Sequence, residues 1–317
     1  MATPSNVLRQ PHRYPRGIFT LARLRRRREE GGSLFFLIPV IVIFIALFAY
    51  PMGQSFYYSF TNFNGYSNHF KYVGFRNYHL IFTDPTMVAA LGFTIAFAVG
   101  TTIIVTLLAI PLAIILNRRF IGKNFVRSVF FFPAIPSVAI LGLVWGFILS
   151  PLGDGVLNTV IHSLTGLGPI PWLANSTLAQ ISTVTVYVWT RTGWHAMLYL
   201  AYLQSIPSDY LEAADIDGAS RFQNFRYITL PLLTPAMTVS WLLLMTNGLK
   251  VYELPITLTK GGPGFATTTI TQTIIQDGIA SAQVGQASAL AVLFLIVSGV
   301  VVLLQLRLSR FLERKNS

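Results

Sequence analysis

The chain has 317 residues, of which 53% are hydrophobic and only 11% charged, with a formal net charge of +12. Soluble domains carry about 25% charged residues, so this balance argues against a soluble domain and for a bilayer. The basic residues gather at the ends of apolar segments, as topology signals do, which argues against nucleic acid as the partner. Cysteine is absent, which removes disulfides, thiol nucleophiles and thiolate metal sites from consideration.

Residues 1–32 form a basic tail with eight Lys and Arg, among them Arg23 and Arg25 to Arg28. Topology and attraction to anionic lipid account for that charge. Six apolar runs follow at about 33–54, 88–116, 129–149, 178–204, 232–252 and 286–306. Each is near the roughly 20 residues needed to cross a hydrocarbon core of about 30 Å. The first run is too long for the core of a signal peptide, and Tyr50-Pro51-Met52 offers no small-residue cleavage site, so it reads as an uncleaved span.

Charge between the runs sets their direction. Beyond the eight basic residues of the tail, four lie in 117–128, two in 205–231 and four from Arg307 onward, against Lys71, Arg76, Lys250 and Lys260 on the other side. This bias predicts that both termini and the 205–231 loop are cytoplasmic. On the outer side, residues 55–86 are rich in Tyr, Phe and Asn, as an interfacial belt is. Residues 150–177 read as ordered turns, and Gly261 to Gly264 as a tight turn.

The expected fold class is therefore all-α, a polytopic transmembrane bundle of six spans. The organisation is a tail over 1–32, a first span over 33–54, a five-span core over 88–306 and a cytoplasmic tail over 307–317.

The polar stretch 208–231 interrupts the apolar pattern. Asp209 can cap a helix, with Glu212 completing a capping box. Ala213 and Ala214 are small enough for another surface to approach. Gly218 can end the helix with a positive φ. Arg221 to Tyr227 offers a second helical turn with Phe222 and Phe225, and Leu230-Pro231 suits the start of the next helix. Such an element is either a docking site for a soluble partner or an ordinary helical loop.

The spacing Glu212-Ala213-Ala214, three residues, Gly218, nine residues, Ile228-Thr229-Leu230-Pro231 resembles the EAA signature of membrane subunits of binding-protein-dependent ABC importers. Further segments are similar to the carbohydrate permeases of the maltose, lactose and glycerol-phosphate branch. They include Tyr50-Pro51, Ser59-Phe60-Thr61, Phe131-Phe132-Pro133, Ser205-Ile206-Pro207 and Gly261-Gly262-Pro263. The resemblance covers about residues 34–310. It implies a type I importer permease fold, a second homologous permease, two ATP-binding subunits, an extracytoplasmic solute-binding protein, and a sugar or oligosaccharide as cargo. It implies further that 208–231 is a coupling element, with Glu212, Ala213, Ala214, Asp217, Gly218 and Phe222 at the ATPase. No Walker A pattern occurs in the chain, so the expectation is a non-enzymatic subunit without its own cofactor, with ATP and Mg on the partner ATPase.

The transport path is read from ionisable and aromatic residues within the spans. Arg191 is the one basic residue well inside a span, and an ionisable group there is a functional hypothesis by default. Tyr187, Arg191, His195, Tyr199 and Tyr202 share one stripe at helical spacing, flanked by Trp194. The stripe is either hydrogen-bonding glue between helices or the lining of a sugar path. The resemblance places Thr190, Arg191 and Trp194 at sugar-touching positions, with Arg191 standing where the family has a small residue. It places Asn247 and Gly248 likewise, with Tyr252 near the outer end. Gly248 can equally serve close packing, and Asn247 can bond a neighbouring backbone. Lys250 and Glu253 flank the outer mouth, where they can pair with each other at i, i+3 or serve as a gate. Arg191 suits an anionic solute, such as glycerol phosphate or a uronate oligosaccharide, or neutral hydroxyls. A membrane enzyme would want carboxylates or a His cluster in the spans, and a secondary transporter would want midplane ion sites and inverted repeats. The sequence displays neither.

Overall fold

The computed structural model describes residues 37–67 and 69–316. The basic tail expected over 1–32 lies outside the described residues. The chain divides into two units, residues 1–54 and 55–317. Helix α1 (Leu37–Tyr58) starts in the first and is long and apolar enough to cross a membrane. Within it, Phe44 and Phe48 stack at 5.8 Å.

The second unit contains α2 (Arg76–Thr83), α3 (Pro85–Asn117), α4 (Lys123–Phe131), α5 (Val138–Ile148), α6 (Val156–Thr165) and α7 (Ser176–Leu203). These are followed by α8 (Asp209–Ile216), α9 (Arg221–Leu232), α10 (Thr234–Leu249), α11 (Glu253–Leu258), α12 (Ile270–Ile275) and α13 (Val284–Asn316). Among the described residues the strand pairing is an isolated bridge between Thr61 and Tyr72. The all-α expectation holds.

Among the described residues three helices are long and apolar enough to cross a membrane: α1, α3 and the Val284–Phe311 part of α13. Two bent pairs raise the count to five. One pair is Lys123–Ala134 with α5, bent by 94°, and the other is α9 with α10, bent by 65°. The sequence led us to expect one continuous span over 129–149. Pro133 and Pro136 break it, because each lacks an N–H to donate and its ring crowds the carbonyl of the preceding turn. Residues 132–134 form a single tight 3-10 turn at the elbow. Proline also moves the start of the next span. Pro231 lies in the last turn of α9, and Pro235 occupies the first turn of α10.

The core is built on α3. Its start is fixed by Asp84, whose carboxylate accepts from the Thr86 N–H at 2.8 Å, the Thr86 hydroxyl at 2.6 Å and the Met87 N–H at 3.4 Å. Pro85 fills the first helical position, where a missing N–H costs nothing. Polar side chains on the buried face are neutralised locally. Thr94, Thr101, Thr102 and Thr106 each donate to the carbonyl four residues earlier at 2.7 Å.

Two neighbours flank this helix. Phe97 meets Tyr187 edge-on at 4.9 Å near the start of both helices, and Tyr199 lies near Thr106 further along. Hence α3 and α7 run parallel. Gly248 packs on Ala98, and Trp241 Nε1 donates to Thr106 Oγ1 at 3.0 Å, so α10 runs antiparallel to both. One apolar cluster joins Val105, Ala109 and Ala113 of α3 to Ala196 and Leu200 of α7 and Ala236 and Leu244 of α10. The alanines let the helices approach closely, which suits helices in lipid because they gain from van der Waals fit. A second cluster joins Phe93 and Phe97 to Val186, Tyr187, Leu254 and Leu258.

The segment between α5 and α7 is ordered around buried Asn158. Its amide donates to the carbonyls of Ser150 at 3.1 Å and Ile170 at 3.0 Å, and accepts from Trp172 Nε1 at 3.0 Å. At the elbow, Gly193 of α7 sits against the Phe130 carbonyl, and a Cβ there would collide with it.

Gly193→Val should therefore separate α7 from the elbow and lower stability by about 1–3 kcal/mol, the range for overpacking. Gly299→Ala, which meets nothing within 4 Å, should leave the melting temperature in detergent unchanged. Asp84→Ala should cost about 1 kcal/mol as a lost cap. The Thr86 hydroxyl, opposed by burial and helped by the Thr86 and Met87 N–H groups, holds the Asp84 carboxyl below its usual 3.8. The sign of its pH dependence follows. This contribution is complete above the unfolded value and lost as pH falls through the lower folded one, so the wild type and Asp84→Ala should converge in acid thermal melts.

Candidate functional site

Two places carry the chemistry expected from the sequence. The first is the loop between α7 and α10. Helix α8 begins at Asp209 with Ser208 before it and no side-chain cap. The capping box expected at Asp209 and Glu212 is therefore not formed, because Ser208 already has helical backbone angles and leaves Asp209 inside the first turn. Glu212 remains in that turn, where a carboxylate suits the positive helix end.

The other end of α8 is a Schellman turn. The Ala219 N–H donates to Ala214 O at 2.9 Å and the Gly218 N–H to Asp215 O at 3.2 Å. This requires a left-handed residue, and Gly218 has φ +78°. Asp217 is the residue before it, at the helix C-cap. The capping box sits one helix later. Ser220 Oγ accepts from the Gln223 N–H at 3.3 Å, and Gln223 Oε1 accepts from the Ser220 N–H at 2.7 Å. Asn224 Nδ2 then donates to Asp215 Oδ1 at 2.7 Å and ties α9 to α8.

The loop thus shapes itself with its own bonds while presenting apolar groups outward. Ile216 is 86% exposed, Tyr227 72% and Phe222 71%. Glu212 and Ala213 are exposed beside them, and Ala214 is half-buried. Leu211 and Ile228 face Ile114 and Leu203 across a cavity of about 190 Å³, which puts the loop against the ends of α3 and α7.

The second place is the polar stripe of α7, which the structure divides. Tyr187, Thr190, His195 and Tyr199 are buried, and Arg191 is half-buried. Trp194 and Tyr202 are each 38% exposed. His195 Nδ1 shares a 2.8 Å hydrogen bond with Ser240 Oγ of α10. The Thr190 hydroxyl donates to Tyr187 O at 2.7 Å. Gly248 faces Ala98, and a Cβ would come within 2.8 Å of its Cα. The polar atoms of Thr190 and His195 and the backbone at Gly248 are therefore committed to contacts inside this chain, and the Tyr199 ring is buried in the cluster of α3, α7 and α10.

Arg191, Trp194 and Asn247 differ. On α10 the exposed positions Val239, Leu243 and Asn247 recur every four residues. Helix periodicity places them, with Trp194, on the side of the α7–α10 pair turned away from α3. Arg191 lies one turn from His195, and Leu243 and Asn247 one and two turns from Ser240. The helices are antiparallel, so these steps go the same way and the residues approach one depth. The Arg191 guanidinium carbon is 5.2 Å from the Tyr187 ring centroid, and Trp194 packs edge-on to His195 at 4.8 Å. Tyr252 is half-buried just beyond α10. Lys250 and Glu253 are exposed, and among the described residues they form no ion pair with each other. Sequence reasoning missed the seat of Gly193 on Phe130 and the Thr106–Trp241 bond. The small residue between Thr192 and Trp194 was the available signal for the first.

Long apolar helices beside a more polar one, with an exposed self-shaped loop, are the architecture of a multi-pass membrane protein. The family described as binding-protein-dependent transport system inner membrane component matches residues 106–315. The multiple sugar-binding transport system permease protein MsmF of Streptococcus mutans is 34% identical, over 88% of this chain and 95% of that protein. The probable starch degradation products transport system permease protein AmyD of Thermoanaerobacterium thermosulfurigenes is 31% identical, over 87% and 92%. A chain in the crystal structure of a bacterial ABC transporter involved in import of the acidic polysaccharide alginate superposes with a TM-score of 0.78 at 24% identity, over 91% of this chain and 98% of that one, and shows a shared fold. The chain belongs to the family of inner-membrane components of binding-protein-dependent transport systems, the family expected from its sequence.

If the His195–Ser240 bond joins α7 to α10, a double-mutant cycle with His195→Ala and Ser240→Ala should give a coupling of about 0.6 kcal/mol, the average for such pairs in membranes. Additive losses in thermal unfolding would show that the two side chains do not act together.

Proposed function

We propose that this chain is a permease subunit of an ATP-driven saccharide importer. The observation that carries the reading is the loop of α8 and α9, fixed by its own Schellman turn and capping box with Ile216, Phe222 and Tyr227 projecting outward. A membrane protein leaves such a surface uncovered where a soluble partner grips it. Permease relatives named for sugar and starch-product transport support the choice of cargo.

In this reading the chain has six spans. The three apolar helices and two bent pairs are joined by α7, whose 28 residues are long enough to cross but more polar than the rest. The organisation keeps a basic tail over 1–32, a first span over 33–54, a core over 88–306 and a tail over 307–317, with both termini and the loop cytoplasmic. A second homologous permease completes the path, two ATP-binding subunits dock on the loops, and an external binding protein delivers the solute. Glu212, Ala213, Ala214, Asp217, Gly218 and Phe222 meet the ATPase, which binds ATP and Mg. Closure of the ATPase dimer pushes α8 against the ends of α3 and α7, and the helices rock between inward- and outward-facing states.

The path is lined by Arg191, Trp194 and Asn247, with Tyr252 toward the outer mouth. The indole offers a face for a sugar ring and the amide offers hydrogen bonds to hydroxyls. Thr190, His195, Tyr199 and Gly248 support this surface from behind.

Glu212→Lys and Gly218→Val should cut saccharide uptake and binding-protein-stimulated ATP hydrolysis at least tenfold in proteoliposomes of the whole complex. Membrane insertion should persist in both, and the melting temperature should change little in Glu212→Lys, whose side chain is exposed, but fall in Gly218→Val, because valine resists the φ of +78° there. Uptake that survives both substitutions would remove the coupling role.

A further inference from the structure

A cation midway along a membrane-spanning helix requires compensation, because removing its hydration costs several kcal/mol unless a partner replaces the water. Arginine does not escape by losing its proton. Arg191 lies 12 residues from the Leu203 end of α7, about 18 Å at 1.5 Å per residue. Its nearest aid is the Tyr187 ring, at 5.2 Å from the centroid. That contact supplies a cation–π attraction and no counter-charge. Its Nε is buried and has no hydrogen-bond partner.

Among the described residues Arg191 forms no ion pair, and Glu253 of the neighbouring α11 is exposed. Helices α3, α4, α5, α7 and α10 contain no Asp or Glu, and neither does α13 as far as Phe311. The charge is also not stranded at random. It borders the open side of the α7–α10 pair, at the depth of Leu243 and Asn247 and beside the exposed Trp194. An indole plane, an amide and a planar guanidinium fork together suit three features of one ligand: a ring face, hydroxyl groups and an oxyanion. The fork pairs two parallel N–H donors with the oxygens of a carboxylate or phosphate. Neutral hydroxyls would satisfy its hydrogen bonds and leave its charge unmatched.

Resting on the reading of this chain as a saccharide permease, we propose that its cargo carries a fixed negative charge, an oxyanion group on a sugar, and that Arg191 is the residue that selects it. The oxyanion pairs with the guanidinium as the sugar passes, while Trp194 stacks on a neighbouring ring. Carboxylate, phosphate and sulfate groups share the required chemistry.

The test uses the complete complex in proteoliposomes. The probes are length-matched oligosaccharides bearing uronate, phosphate or sulfate groups, and their neutral counterparts. The wild type should take up at least one anionic class in preference to the neutral set, and the responding class identifies the group. Arg191→Gln should lower the ratio of that uptake to neutral uptake tenfold or more, and Arg191→Lys should restore part of it. Equal melting temperatures show that the variants fold. Neutral uptake by the wild type with no anionic preference, or a charge ratio unchanged in Arg191→Gln, overturns the proposal and leaves the saccharide permease standing. An equal fall for both kinds of probe also overturns it, since the cation would then be balanced by a partner subunit. Uptake of no saccharide in either class overturns the saccharide reading itself.

Discussion

The close approach of α3, α7 and α10 is the contact on which the rest of the structure depends. Lipid tails are as apolar as leucine, so helices in a bilayer are not driven together by water and must gain from fit and hydrogen bonds. Gly248 against Ala98 and Gly193 against the Phe130 carbonyl bring backbones near enough for both. At that distance short polar side chains reach across, His195 to Ser240 and Trp241 to Thr106. These pairs fix the rotation of α7 and α10 about their axes. That rotation decides which residues remain on the open side, so Arg191, Trp194 and Asn247 hold their places through contacts made by others.

The loop follows a different rule. Its shape comes from bonds between Ala214 and Asn224, through Gly218, the Ser220–Gln223 box and Asn224 to Asp215. Leu211 and Ile228 face the ends of α3 and α7, so the loop is seated on the two helices it follows.

Much of this was legible in the sequence. Long apolar runs announce helices because the backbone must satisfy itself in hydrocarbon. Gly218 was legible because a single positive φ after a helix is a local demand. The capping box was misplaced by eleven residues, from Asp209 to Ser220, because Ser-x-x-Gln and Asp-x-x-Glu fit the same rule and only the backbone angles of Ser208 decide between them. The broken span over 129–149 was hidden because Pro133 and Pro136 sit in an otherwise apolar run, and proline in a membrane helix yields either a kink or a break. The division of the α7 stripe could not be read at all. Periodicity groups Arg191 with His195 and Tyr199, and only the neighbouring helices determine which of them is covered.

The polarity of α7 has a consequence for how the protein is made. During synthesis a helix enters the bilayer on its own merits when its sequence is apolar, and a central arginine counts against entry by about 2.5–3.5 kcal/mol. Helix α7 carries Arg191, His195 and a series of threonines, and it is absent from the helices that are long and apolar enough to cross a membrane. It is therefore a weak insertion signal taken alone. The threonine face of α3, which precedes it in the chain, offers it a place to lodge, and α10 closes over it later. The order of helices along the chain thus places a partner for α7 ahead of α7 itself.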